Sequence, residues 1–170
     1  MAEGTQGSAY IWCGRAAFLL GLLYALVSAY WGSGGTVGLD TIGGDIERRA
    51  REGDAQLFAI VWITAVVKLA VAALGLTVVR QRLSRLLPRR LSSALVRTAA
   101  IGLILYGGAL TLVEVLVKAD LVNTTADIDA KAFDWHLYLW DPWFLLWGLL
   151  LATTTHGPTK PLTHPKPTHN

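Results

Sequence analysis

The sequence predicts an all-α membrane protein, a single bundle of four transmembrane helices with both termini cytoplasmic, and three observations carry that reading. Of the 170 residues 53% are hydrophobic and only 16% charged, with a mean hydropathy of +0.44, whereas a soluble domain carries about 25% charged residues. The apolar residues fall into four runs, each long enough to cross about 30 Å of hydrocarbon at about 1.5 Å per residue. The connections between the runs alternate in charge, as orientation in a membrane requires.

The first run spans about Tyr10 to Trp31. Within it Ala17, Gly21, Ala25 and Ala29 recur every four residues, with Gly14 and Ser28 beside them. Such a stripe of small side chains lets helix backbones approach closely in lipid. Val27, Ser28 and Ala29 resemble a small-residue cleavage site, but a signal segment destined for removal has no need of a packing stripe. Arg15, near the inner end, snorkels. A glycine-rich turn follows (Gly32, Gly34, Gly35, Gly38, Gly43, Gly44), then a charged segment. From Asp40 to Asp54 five acids stand against three arginines, a net charge of −2. No strand precedes the glycines and no Gly-Lys-Ser follows them, so a phosphate-binding loop fits poorly and a capping or re-entrant turn is the plainer reading.

The second run, about Leu57 to Val79, carries Lys68 at its centre, where an ammonium without a partner or water costs several kcal/mol. Ala65, Ala72 and Gly75 share its face, so Lys68 is expected to point into the bundle. The connection from Arg80 to Arg97 holds six arginines and no acid, which marks it as cytoplasmic and in contact with anionic lipid rather than nucleic acid. The third run, about Thr98 to Lys118, contains Glu114 near its outer end, on one face with Ala100, Gly107 and Thr111. The next connection is acidic (Asp120, Asp127, Asp129, Asp134 against Lys131) and so exterior. The fourth run, Trp135 to Thr154, is aromatic in its first half and aliphatic in its second. These runs make up one domain, residues 1–155. Residues 156–170 are rich in Pro, Thr and His, cannot bury a core, and are expected to form a disordered cytoplasmic tail.

On this topology Glu114 and Asp141 both fall in the outer half of the membrane with Lys68 beneath them, close enough for a Lys68 to Glu114 pair. Tyr24, Tyr30, Trp31, Trp62, Trp140, Trp143 and Trp147 would stand around them, giving a polar pit with aromatic walls. Glu114 and Asp141 are the candidate acid and base; Lys68, Tyr24, Trp31, Trp62, Trp140, Trp143 and Trp147 are the candidate ligand contacts. Each has a structural alternative. The tryptophans suit an interfacial belt. Asp141 before Pro142 suits a helix cap, with Trp135 to Trp140 lying along the surface. The lysine and glutamate suit an ion pair that sets helix register. Cys13 is the single cysteine, which excludes an intramolecular disulfide, paired-thiol redox chemistry and a zinc ribbon. His156, His164 and His169 lack fixed geometry, so no metal site is read, and no cofactor is implied.

Tyr30-Trp31 and Gly34-Gly35 after the first run, the acid late in the third, and Trp140-Asp141-Pro142-Trp143-Phe144 with Trp147-Gly148 in the fourth resemble the bacterial, largely actinobacterial, four-helix membrane proteins grouped as domain-of-unknown-function family 3995. The resemblance covers roughly Ala9 to Ala152. It implies a multi-pass protein of the bacterial plasma membrane and no established activity. The charged insert Asp45 to Asp54 departs from the family pattern.

Two functions follow from these residues. One is a binding protein whose outer-facing pit holds a lipid, an isoprenoid or another amphipathic molecule, or a subunit that assembles with itself or with an envelope complex in the lipid bilayer. The other is a small membrane enzyme, of isomerase or cyclase type, in which Glu114 and Asp141 act on an isoprenoid-like substrate and tryptophan faces stabilise cationic intermediates. A proton-coupled transporter fits less well, because four helices without an internal repeat offer little for alternating access. Nucleic acid is not an expected partner.

Overall fold

The structure, a computed structural model, describes residues 3–79, 88–122 and 129–155. Arg80, Arg82 and Arg85, Asp127 and the tail 156–170 lie outside the described residues. Among the described residues every regular element is helical: α1 (Glu3–Gly32), a 3-10 turn (Leu39–Thr41), α2 (Gly44–Arg51), α3 (Ala55–Val79), α4 (Arg89–Lys118), α5 (Ala130–Trp135), a π-helical turn (His136–Trp140) and α6 (Asp141–Thr154). Three segments are long and apolar enough to cross a membrane: Ile11–Gly32 of α1, Ala55–Leu76 of α3 and Arg90–Lys118 of α4.

Three helix starts differ from the sequence expectation, the first being that of α1, which begins at Glu3 rather than near Tyr10. Helix α4 starts at Arg89, not near Thr98, because Pro88 adopts an extended backbone (φ −52°, ψ 136°) and the segment after it opens with good helix formers, Arg89-Arg90-Leu91 and then Ala94-Leu95. Arg90 and Arg97 therefore ride on the helix rather than in the connection. The fourth run also starts earlier. Asp129 accepts from the backbone N–H groups of Lys131 and Ala132 and caps a helical backbone that continues without a break to Thr154. Its one irregularity is internal: residues 136–140 widen to π-helical hydrogen bonding just before Pro142. A proline has no N–H to give and its ring collides with the carbonyl four residues back, so a wider turn before it removes the conflict. Trp135 to Trp140 thus belong to the helix and do not form a separate surface segment.

Helix α1 packs on α3 and α6 packs on α4, α1 meets α6 between the two pairs, and α3 also touches α4 and α6. Small residues make these approaches close. Ala17, Gly21, Ala25 and Ser28 are buried, as are Ala65 and Ala72 on α3. A Cβ on Gly21 would lie 2.4 Å from the Trp147 ring and 2.7 Å from the Ala72 methyl. On the other side of α6, a Cβ on Gly107 would lie 2.5 Å from the Leu145 backbone nitrogen, and one on Gly148 would lie 2.8 Å from that of Ile104. The flanking helices leave most of their apolar surface uncovered: only 17% of the α3 span and 11% of the α4 span is buried. In water such surfaces would aggregate; hydrocarbon is the solvent that suits them.

One end of the bundle is covered by the segment 33–54. Its charges are internally paired, Arg48 with Asp45 and Glu52, Arg51 with Glu47, and Arg49 with Asp54. Asp40 pairs with Lys131 of α5, and Gly43 (φ +67°) has no room for a side chain against Ala132. The connection is thereby docked on the start of α5.

Two outcomes are expected. Gly148→Val should force α4 and α6 apart and lower stability by about 2–3 kcal/mol, whereas Gly102→Ala, which meets nothing within 4 Å, should stay within about 0.5 kcal/mol of wild type. Thermal unfolding in detergent reads both, and equal stabilities would refute the close packing of α4 on α6. The second outcome concerns pH. Hydrogen bonding to Lys131 holds Asp40 below its ordinary 3.8, and Asp40 holds Lys131 above its ordinary 10.5. The pair's contribution is complete between those values. It is lost as pH falls through the lowered Asp40 value or rises through the raised Lys131 value. Proteolytic access to 33–54 should be constant from about pH 5 to 9 and increase below about pH 4, and Asp40→Asn should show the increase already at pH 7. Equal cleavage of variant and wild type at pH 7 would mean that the pair does not hold the segment down.

Candidate functional site

The aromatic half of the 130–154 helix is laid against α1. Tyr24 is the hub, stacked on Trp140 with ring centres 5.6 Å apart, and tilted against Phe144 at 4.7 Å and Trp143 at 5.8 Å. Trp31 meets Trp140 edge-on at 5.5 Å. Buried indole N–H groups need acceptors, and most have them: Trp31 donates to the Val37 carbonyl (2.9 Å), Trp140 to the Thr41 hydroxyl (3.2 Å) and Trp143 to the Leu20 carbonyl (3.3 Å). Trp147, 1% exposed, has no partner for its N–H among the described residues. Trp62 is 45% exposed and lies over Gly32, apart from the cluster. Of the expected aromatic walls, Trp31 and Trp140 face open space. With Val27, Tyr30, Val37 and Leu139 they line a groove of about 540 Å³.

Lys68 is not paired with Glu114. Its ammonium donates to the Ser28 hydroxyl of α1 at 2.7 Å and sits 3.9 Å from the centre of the Tyr24 ring, with Phe144 at 5.9 Å. The helix order explains this, because α3 lies beside α1, so a side chain on its inward face meets α1 first. A hydroxyl and two ring faces offset part of the ammonium's desolvation without a counter-charge.

Glu114 has different neighbours. Its carboxylate, His136 and Asp141 each offer a ligand atom, and these atoms lie within 4.8 Å of one another. His136 Nδ1 is 3.1 Å from Asp141 Oδ2, and Asp141 is 3% exposed. Glu114 Oε2 and, one turn earlier, Thr111 Oγ1 are buried without a hydrogen-bond partner among the described residues. The π-helical turn makes this cluster. Residues five apart diverge around an α-helix, but π-helical bonding runs from i to i+5 and brings His136 over Asp141 on the side facing α4. Sequence reasoning placed Glu114 and Asp141 in the same layer and missed His136, because α-helical spacing puts 136 and 141 on different faces. The usable signal was Pro142, which penalises an ordinary turn before it.

The bundle and its buried polar cluster define a helical membrane protein. Residues 21–151 match the model of the family described as protein of unknown function, DUF3995. The chain belongs to that family, in agreement with the resemblance carried by its first and fourth runs. No curated protein and no solved structure matches it.

The observed neighbours of Lys68 set an expected result. In double-mutant cycles, Lys68→Met and Ser28→Ala should couple by about 0.5–3 kcal/mol, because each alters the same hydrogen bond, while Lys68→Met and Glu114→Leu should add within about 0.5 kcal/mol. Unfolding in detergent measures both cycles. Strong coupling between positions 68 and 114 would show that the two charges meet after all.

Proposed function

We propose that this chain is a four-span protein of the bacterial plasma membrane, with its termini cytoplasmic, that binds an amphipathic molecule with a long apolar chain, a lipid or an isoprenoid, in the groove between the end of α1 and the π-helical turn. Four spans are supported by the unbroken helical backbone from 130 to 154, which at about 1.5 Å per residue is roughly 35 Å long. The orientation follows from the arginines around α4 and the acids of the two opposite connections.

The groove carries the ligand reading. Its volume of about 540 Å³ lies within the range of roughly 300–1,000 Å³ found for small-molecule sites. Apart from Gly38 and Thr41, whose hydroxyl is engaged with Trp140 and the Gly38 carbonyl, its walls are aliphatic and aromatic, no charged side chain lines it, and the Trp31 and Trp140 N–H groups beside it are already engaged. Such a surface takes an uncharged chain by burial and offers few hydrogen bonds, which favours a lipid-like tail over a polar metabolite. Its place at the outer end of the bundle lets a head group remain among those of the bilayer.

One observation favours the second reading, an enzyme acting on such a molecule. His136 stands 3.1 Å from Asp141 beside Glu114, an arrangement of proton carriers that can serve acid and base chemistry. A single experiment separates the readings. Protein purified from native membranes is analysed by mass spectrometry for bound compounds, next to a Leu139→Trp variant of equal folded yield that fills the groove. The binding reading expects a defined apolar compound in wild type, reduced at least about tenfold in the variant, and returned unchanged after incubation; a reproducible mass change that Glu114→Gln abolishes establishes the enzyme. Bulk phospholipid alone, identical in both proteins, would sink both and leave a scaffold or complex subunit.

A further inference from the structure

The cluster on the α4 side of the π-helical turn is separate from the groove, and it has the composition of a ligand set. Two carboxylates, Glu114 and Asp141, lie together in a helix interface, and no lysine or arginine among the described residues forms an ion pair with either. Two such groups in a poorly solvated site stay charged together only when a cation balances them; otherwise one of them holds a proton. The third member is an imidazole. Its Nδ1 is 3.1 Å from Asp141 Oδ2, the spacing of two atoms that share a metal at about 2.1 Å with an angle near 95°. The widest separation in the set, 4.8 Å, closes with a movement of about 1.4 Å, which the rotatable Glu114 side chain can supply.

A second, independent feature points the same way. Glu114 Oε2 is buried and without a hydrogen-bond partner among the described residues, as is Thr111 Oγ1 one turn before it. Buried polar oxygens are normally satisfied, and an unmatched one is destabilising, the more so when charged. The π-helical turn, a feature that recurs at functional sites, aligns 136 with 141.

We propose that Glu114, His136 and Asp141 bind a first-row divalent metal ion, zinc or a close neighbour such as iron(II) or manganese(II), between α4 and the π-helical turn. One nitrogen and two carboxylates form a borderline donor set. It is too rich in imidazole to suit calcium or magnesium and lacks the thiolate or thioether that selects copper(I). The ion would balance both carboxylates and occupy the unmatched Glu114 oxygen. Three protein ligands leave at least one position open to water or a substrate oxygen.

The test uses the full-length protein in detergent, stripped with chelator and given zinc alone, in a background carrying His156→Ala, His164→Ala and His169→Ala. The chain has four histidines, so His136 is then the only one left and the adventitious tail is removed. We expect about one zinc per chain retained after dialysis, a raised unfolding temperature, and at least about 100-fold weaker binding in His136→Gln and in Glu114→Gln. Zinc-edge X-ray absorption of the tail variant requires no ligand mutation, so it stays informative if those variants fail to fold. It should show a shell of nitrogen and oxygen at about 2.0–2.2 Å with a single imidazole. Loss of zinc together with the tail histidines, or a shell of water oxygens alone, overturns the proposal and leaves an adventitious ion only.

Discussion

Helices in lipid gain little from hiding apolar surface from one another, because the acyl chains are equally apolar. Their association then depends on how closely backbones can approach, and in this protein that constraint is met by glycine and alanine on both sides of one helix. Gly21 and Ala72 leave the notch that receives the Trp147 ring, while Gly107 and Gly148 let α4 and α6 touch backbone to backbone. The 130–154 helix is therefore the central post, held by α1 on one side and α4 on the other, with α3 packed chiefly on α1 and touching α6 and α4 as well. The groove and the polar cluster are consequences of this arrangement, one on each side of the post.

That central helix carries a conflict in its local sequence. Pro142 lies in its middle, immediately after the buried Asp141. An α-helix would meet this proline with a carbonyl clash, and the backbone answers with one π-helical turn. The widened turn changes which residues are neighbours. His136 comes over Asp141 toward α4, while Trp140 points toward α1 and Thr41. Relief of local strain and construction of the polar cluster are thus one event in the backbone.

Cation and carboxylates are kept apart by the same packing order. Lys68 is satisfied by Ser28 and the Tyr24 ring within the α1–α3 pair, so it offers no counter-charge to Glu114 and Asp141 in the α4–α6 pair. The bundle thus carries two distinct polar sites: an ammonium resting on a hydroxyl and an aromatic face, and a pair of acids with one imidazole. In the second, His136 is paired with Asp141 while one Glu114 oxygen is buried without a partner among the described residues.

Composition and periodicity were enough to establish a helical membrane protein, its apolar runs, and the small-residue faces of α1, α3 and α4, because these depend on length, hydropathy and a repeat that every helix shares. They were also enough to turn Lys68, Glu114 and Asp141 inward, since a charge in lipid has few other places to go. Partner choice was not legible. Whether Lys68 meets Glu114 or Ser28 depends on which helix lies beside α3, and local residues do not encode that order. Nor was His136 legible, because its alignment with Asp141 exists only once the backbone departs from α-helical spacing. The sequence alone therefore decided that the charged side chains of the spans turn inward; tertiary structure alone decided what each meets, and that Trp62 stays at the surface, because adjacency between helices follows from backbone approach and helix pitch rather than from composition.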